Sequence, residues 1–284
     1  MPDTLRAVKL IIRHLSSFLL LLPAAALAQP LSAAMPLDPG QAQALVQRTL
    51  ATELRTAQDN SHPMRYRLHK STPRLSSTKE IAETRDGDVA RLLAINEQPL
   101  NQIDQQKEQD RLNALLADPS RQRHRKQSED QDTGIVLKLL RMLPQAFVYQ
   151  YAGVGSGPTG AVQKFTFRPN PSFSPPDIET QSLTSLTGEL WIDATSERVT
   201  RLEGRLQQDT NYGFGLLGKL DKGGYVILEQ VDVGNRQWRI ARVQMRMNLR
   251  ILFKAKTFDT VMEMSQYSPL PSGIDYRQAI QLLR

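Results

Sequence analysis

The chain has 284 residues, 36 Lys plus Arg against 29 Asp plus Glu, a formal charge of +7, and 40% hydrophobic residues. That length is ample for a hydrophobic core in one large domain or two small ones, and the composition excludes wholesale disorder. Cysteine is absent, which excludes a disulfide scaffold, thiolate metal sites, a Cys nucleophile and thioether-attached haem.

The first element reads as an export signal. Arg6, Lys9 and Arg13 precede the apolar run Leu15 to Leu22, Pro23 breaks it, and Ala26-Leu27-Ala28 has the small-x-small pattern of a signal-peptidase site. The run is too short to span a bilayer as a helix. We therefore expect a signal peptide over 1–28, cleaved after Ala28, and a periplasmic location with no transmembrane anchor after cleavage. No Cys follows the run, so lipoprotein processing is excluded. Losing three basic residues and Asp3 leaves a charge of about +5.

After a leader to Leu37, Asp38-Pro39 is an N-cap followed by a first-turn proline. Leu45, Val46, Leu50 and Leu54 recur at helical spacing up to about Gln58. Met64, Tyr66 and Leu68 alternate with Arg65, Arg67 and His69, the period of a half-buried strand. Ser77 to Thr84 and Val89 to Ile95 read as two more strands about the turn Asp86-Gly87. A charged stretch then carries two helices meeting near Asp118-Pro119. The second ends on the stripe Val136, Leu139, Leu140 and Leu143, and Pro144 is expected to close it.

Everything beyond reads as β. Phe147, Tyr149 and Tyr151 share one strand face, Phe165 and Phe167 another, with Gly153 to Gly160 as the turn between them. Pro169 to Pro176 is an extended loop. Strands follow at 188–193, 198–207 and 225–233. In a long strand from about Gln237, Ala241, Val243, Met245, Met247, Leu249, Ile251, Phe253 and Ala255 take one face and mostly Arg, Lys, Gln and Asn the other. Its length implies a bend or turn near Asn248 to Arg250. A last strand covers about 257–267.

The sum is a mainly β, α+β chain: a strongly curved antiparallel sheet or open barrel of about ten strands, with a leading helix and a helical insertion at about 101–143, the helices filling or lidding its concave side. Residues 29–284 are expected to form a single domain.

Several motifs dissolve on inspection. Gly213, Gly215 and Gly218 match G-x-G-x-x-G, but a polar segment precedes them and a strand follows, where a dinucleotide site needs strand, turn and helix. Gly155 to Gly160 has Walker spacing, but Ala161-Val162 stands where Lys-Ser/Thr is needed. His62, His69 and His124 show no ligand spacing, and no Ser sits in a G-x-S-x-G elbow. Hence no metal, cofactor or catalytic residue is assigned, and the chain is read as a non-enzyme. The basic run Arg121 to Lys126 lies in a stretch, 97–132, with six basic and eight acidic residues and no interleaved aromatics. A solvated mixed-charge helix describes it better than a nucleic-acid site.

The apolar faces carry more information. Phe147, Tyr149, Phe165, Phe167, Met245, Met247, Leu249, Ile251 and Phe253 are candidates for an apolar cavity, with Val136, Leu139, Leu140 and Leu143 as lid residues. The same pattern also fits an ordinary core of sheet against helix.

The order of signal peptide, helix, strands, helical insertion and β-meander resembles the periplasmic lipoprotein-localisation superfamily, which includes LolA-type carriers, the LolB receptor and RseB-type stress sensors. GELWIDATSERVTRLEGRL (Gly188 to Leu206) is similar to their strand ending aromatic-apolar-Asp, short turn, and strand with V-x-R-L. Glu83 to Leu100 and Phe214 to Gly224 look like segments of uncharacterised exported bacterial proteins. The resemblance implies an open, roughly eleven-stranded half-barrel with a helical lid, binding an acyl chain, lipid or lipoprotein without catalysis. The family carriers hold their lid with an arginine on an early strand, where this sequence offers Arg65, Arg67 and Arg91. Two alternatives remain open: an envelope-stress protein-interaction module of the same fold with a filled interior and an envelope protein partner, and a hydrolase of unknown class.

Overall fold

The computed structural model describes residues 36–212, 218–251 and 254–284. The expected signal peptide with its cleavage site, together with Gly213, Gly215 and Phe253, lies outside these residues, as does the side chain of Ile251.

Helix α1 (Pro39–Gln58) starts where the sequence places it. The Asp38 carboxylate accepts from the Gln41 N–H at 2.9 Å, and the Gln41 side chain accepts from the Asp38 N–H at 3.1 Å. This reciprocal cap satisfies two helix-end donors. Its buried positions Ala42, Leu45, Val46, Thr49, Leu50 and Glu53 form one face.

The chain then makes β1 (Met64–Ser71), β2 (Ser76–Ala82), β3 (Val89–Ile95) and the two-residue β4 (Gln98–Pro99), followed by α2 (Gln102–Ala117) and α3 (Pro119–Ala146). Strands β5 (Phe147–Gly157) and β6 (Gly160–Pro169) lead to a short 3-10 turn at Thr180–Ser185. Then come β7 (Leu186–Asp193), β8 (Val199–Leu206), β9 (Thr210–Tyr212), β10 (Gly218–Leu220), β11 (Tyr225–Asp232), β12 (Trp238–Ile251), β13 (Lys254–Pro269) and α4 (Tyr276–Leu283).

These strands form one curved, open antiparallel sheet in the order β4-β3-β2-β1-β13-β12-β11-β8-β7-β6-β5, with β10 also pairing with β12 and β9 with β10. The two ends of that path do not pair, so the sheet is a half-barrel and not a closed barrel. From β5 to β13 neighbours mostly follow chain order. The first strand then returns to pair with the last, Leu68 opposite Met264.

The open edge at β3 is occupied by α2. The Leu92 N–H donates to Glu108 Oε1 at 2.8 Å, and Arg111 donates to the Ala90 carbonyl while pairing with Glu108. An ion pair on the helix thus takes the place of a missing strand, which blunts edge-to-edge association.

Two packed clusters cover the ends of the sheet. In the first, Ala42, Leu45, Val46 and Leu50 of α1 and Leu143 and Ala146 of α3 pack on Phe147, Phe165, Phe167, Leu190, Ile192 and Val199. In the second, Leu112 and Leu115 of α2 and Ala279, Ile280 and Leu283 of α4 pack on Ala82 and Val89.

Several expectations are corrected. Pro144 does not close α3, which runs on to Ala146. A proline in the last turn costs one ladder bond, and the Leu143 carbonyl accepts from the Tyr149 hydroxyl at 3.0 Å. The turn between β5 and β6 is not Gly153 to Gly160 but the two residues after Gly157, because both strands pair down to Gly157 opposite Gly160. The bend or turn expected near Asn248 to Arg250 is not at these residues, which continue β12. These residues pair with Thr257 to Ala255 of β13, and the ladder continues to Ile251 opposite Lys254. Nor is everything after residue 146 β. Helix α4 has an Asp275–Gln278 capping box and buries Tyr276, Ala279, Ile280 and Leu283 at helical spacing.

Candidate functional site

Pairing registers place a stripe of apolar residues across the middle of the sheet. Residues directly opposite share a face. Leu68 of β1 stands opposite Met264 of β13, and Met262 opposite Val243 of β12, which stands opposite Leu228 of β11. One step further along, Thr260, Met245 and Val226 align, and Phe258 faces Met247. Leu228 in turn pairs with Leu202, which packs against the first cluster. The stripe is therefore continuous with the packed end of the sheet. Its members from Leu68 to Met264 are half-buried and belong to neither cluster.

The opposite face of the same strands is charged. Glu229, Arg242 and Glu263 align across β11, β12 and β13, Arg201 pairs with Glu203 and Glu229, and Arg246 lies 3.8 Å from Asp259. The central sheet is thus amphipathic, with one face wet and one face apolar but only partly covered.

The sequence-predicted site residues divide between two places. Phe147, Phe165 and Phe167 lie in the first cluster, at most 5% exposed, and Tyr149 packs against it. The rings of Phe147, Tyr149 and Phe167 pack on one another, with Phe147 and Phe167 centroids 4.7 Å apart, and Phe165 packs on Tyr151. Met245, Met247 and Leu249 lie instead on the central stripe. Of the lid candidates, Leu143 is buried in the first cluster, Leu139 and Leu140 pack on it, and Val136 is exposed. Leu68, Val226, Leu228, Met262 and Met264 were missed as site residues. Alternation in the segment TVMEM (Thr260 to Met264) was the available signal, but only the register shows which strand it joins.

The arginine that ties α1 to the sheet lies outside the early strands. Arg198, just before β8, makes a two-pronged ion pair with Glu53 of α1, Nε to Oε1 at 2.8 Å and Nη2 to Oε2 at 2.9 Å. Arg65 pairs with Glu80 across β1 and β2, and Arg91 donates to the carbonyls of Leu283 and Arg284. The strand-turn-strand motif at 188–206 also finds its physical reason. The Asp193 carboxylate accepts from Thr159, from both groups of Ser196 and from the Thr195 N–H, and so folds the turn back on itself. Burial opposes its charge, but these hydrogen bonds win and hold its carboxyl below the usual range.

Where the β2–β3 turn meets α3, three carboxylates gather. Burial first, then the neighbouring Glu129 and Glu83, push the Asp88 carboxyl up to about 7. Glu83, itself raised by burial, accepts from the Met64 N–H, and Glu129 from the Asp88 N–H. Beside them a cavity of about 710 Å³ opens between this turn, the first half of α3 and the start of α4. Most of its lining residues are polar or charged, and none of the apolar candidates is among them. Among the described residues no group of three or more His, Asp or Glu is placed to hold a metal ion, and no helix is long and apolar enough to cross a membrane.

No family profile and no curated protein matches the chain. Among solved structures, it is similar to one from Vibrio parahaemolyticus, named as an outer membrane lipoprotein-sorting protein domain. The two share 10% identity over 80% of this chain and 93% of that one, with a TM-score of 0.28.

Proposed function

We propose that this chain is an exported, periplasmic binding protein that takes an acyl chain, of a lipid or a lipoprotein, on the apolar face of its central strands, without catalysis. The observation that carries this reading is the half-buried stripe Leu68, Val226, Leu228, Val243, Met245, Met247, Met262 and Met264, which neither helical cluster covers. Four methionines on one face suit a flexible ligand, because the unbranched thioether adapts its shape. Each methylene removed from water contributes about 0.8 kcal/mol. Ten covered methylenes therefore supply about 8 kcal/mol before the cost of association.

The proposed ligand face is narrower than the sequence suggests. Phe147, Phe165 and Phe167 serve as the floor on which α1 and the end of α3 rest, and the ligand meets Met245, Met247 and Leu249 with their neighbours on β11, β13 and β1.

The test is direct. Protein purified from periplasm is extracted and analysed by mass spectrometry, and delipidated protein is titrated with a fluorescent fatty acid. Uptake is expected, and Met245→Glu, on a half-buried position, is expected to weaken it at least tenfold while the thermal melt stays cooperative. Absence of both co-purifying lipid and fatty-acid uptake would discard the proposal. A second reading, a protein-interaction module with a filled interior, draws on the packing of Leu139, Leu140 and Leu143 over the aromatic strands. It predicts recovery of an envelope protein after cross-linking in cells and no lipid at all.

A further inference from the structure

The register of the two longest strands puts a pair of cations at one end of the apolar stripe. Lys256 of β13 stands directly opposite Leu249 of β12, which stands opposite Leu220 of β10, so the three share a face. Phe258 and Thr260 follow on that face in one direction along β13, and Lys254 in the other. The alternation read from sequence puts Ala255 on this side, but in the sheet Ala255 stands opposite Arg250, on the charged face. The apolar stripe that begins at Met264 therefore ends on two ammonium groups.

Charge is sorted between the two faces. On the charged face acids and bases neutralise one another: Arg246 lies 3.8 Å from Asp259, Arg250 3.1 Å from Asp221 and Lys219 2.7 Å from Asp209. On the apolar face, β13 from Lys254 to Met264 and β12 from Val243 to Leu249 present no Asp or Glu. Lys254 and Lys256 have no acidic partner among the described residues. The Lys256 ammonium lies 4.6 Å from the Phe258 ring centroid, folded back over the stripe. A ring is a weaker partner than an anion, so the ammonium keeps its capacity for one. Strand β1 pairs with β13 only from Val261 onward, which leaves the lysine end of the face open on that side. Lys70 and Lys79 border the face at its other end, opposite Met262 and Leu68, and Lys79 lies within reach of the Glu108 charge.

From this arrangement we infer that the ligand of the apolar face is an anionic amphiphile, an acyl chain ending in a carboxylate or a phosphate whose head is held by Lys254 and Lys256. The inference rests on the acyl-binding reading above and adds selection by head charge. The dimensions agree. From Met262 to Lys256 the strand rises about 20 Å, and one acyl chain fills half the hydrocarbon thickness of a bilayer, about 15 Å. A chain laid on the methionines thus brings its head to the lysines, where the ammonium groups donate charge-assisted hydrogen bonds to it. A free fatty acid and an anionic phospholipid offer the same chemistry.

The experiment uses the full exported chain carrying the neutral dye N-phenyl-1-naphthylamine, which palmitate, hexadecyl phosphate and uncharged hexadecanol compete to displace at a pH well above the carboxylate range. Both anions are expected to displace it at concentrations about tenfold lower than hexadecanol does, a preference that shrinks with added salt. Lys254→Gln with Lys256→Gln, both at exposed positions, should abolish the preference. Arg246→Gln, on the other face of the same strand pair, and Lys70→Gln should retain it. Mass spectrometry of lipid taken up from mixed phosphatidylglycerol and phosphatidylcholine vesicles separates the sources: enrichment of phosphatidylglycerol assigns the head to a phospholipid, and a palmitate preference without such enrichment assigns it to a free fatty acid. If hexadecanol competes as well as the two anions, the inference is overturned and the acyl-binding reading stands. A preference that survives the double lysine variant, or that Arg246→Gln reduces equally, also overturns it. Displacement by none of the three overturns both.

Discussion

Replacing Glu53 with Gln removes the charge that fastens α1 to the sheet. In the folded chain the Glu53 carboxylate accepts four hydrogen bonds: two from the Arg198 guanidinium at 2.8 and 2.9 Å, one from the Val199 N–H at 2.9 Å and one from the Gln230 amide at 3.2 Å. Glu53 and Arg198 are each 8% exposed. A glutamine offers one oxygen where two were used, and its amide hydrogens must point at a donor. The guanidinium is left charged, buried and half-served, a loss that typically costs about 3–5 kcal/mol. For a domain of this size each kcal/mol moves the melting temperature by about 2–4 °C, so Glu53→Gln should melt about 6–20 °C lower. Urea unfolding of Glu53→Gln, Arg198→Gln and the double variant closes a cycle in which the double variant should lose much less than the two single losses added together. A single loss below about 1 kcal/mol, or simple additivity, would show that α1 is held by its apolar face alone and refute the reasoning.

Asp88 gives a prediction with a definite sign. Its folded pKa, about 7, lies above the ordinary 3.8, so the fold favours the protonated acid. The stability this group contributes is full below pH 3.8 and is lost as pH rises through about 7. Converted at 1.36 kcal/mol per pH unit, the gap sets an upper bound of about 4 kcal/mol on the cost of ionising it in place. Asp88→Asn should therefore be more stable than the parent at pH 8, with the difference closing toward pH 4; a difference independent of pH in chemical denaturation would contradict it. Gly188→Ala should destabilise severely, by about 3 kcal/mol or more, because an added Cβ would lie 1.8 Å from the Glu203 carbonyl oxygen of the neighbouring strand. Wild-type-like unfolding of that variant would mean that β7 and β8 separate there more easily than their register implies.

What the sequence determined on its own was local. The Asp38-Pro39 start of α1, the Asp118-Pro119 break between α2 and α3, and the two-residue alternation of β1 and β12 were all legible, because caps, prolines and periodicity act within a few residues. The curved antiparallel sheet followed from counting such strands, and the half-barrel from the family resemblance. The missed helix α4 had its own cap and stripe, but eight residues after a long strand form too short a window to outweigh their surroundings. Pairing, by contrast, is a relation between distant segments. Only the fold shows that Met262 and Met264 of β13 join Val243 and Met245 of β12 on one face, and that the aromatic strands 147–167 lie under α1 and the end of α3. The Glu53–Arg198 pair spans 145 positions, and the charged cavity draws its walls from residues 85–86, 119–131 and 275–277. A periodicity names which residues share a side of one element. Which side is covered, which is left half-bare and which charges find partners is decided when the elements meet.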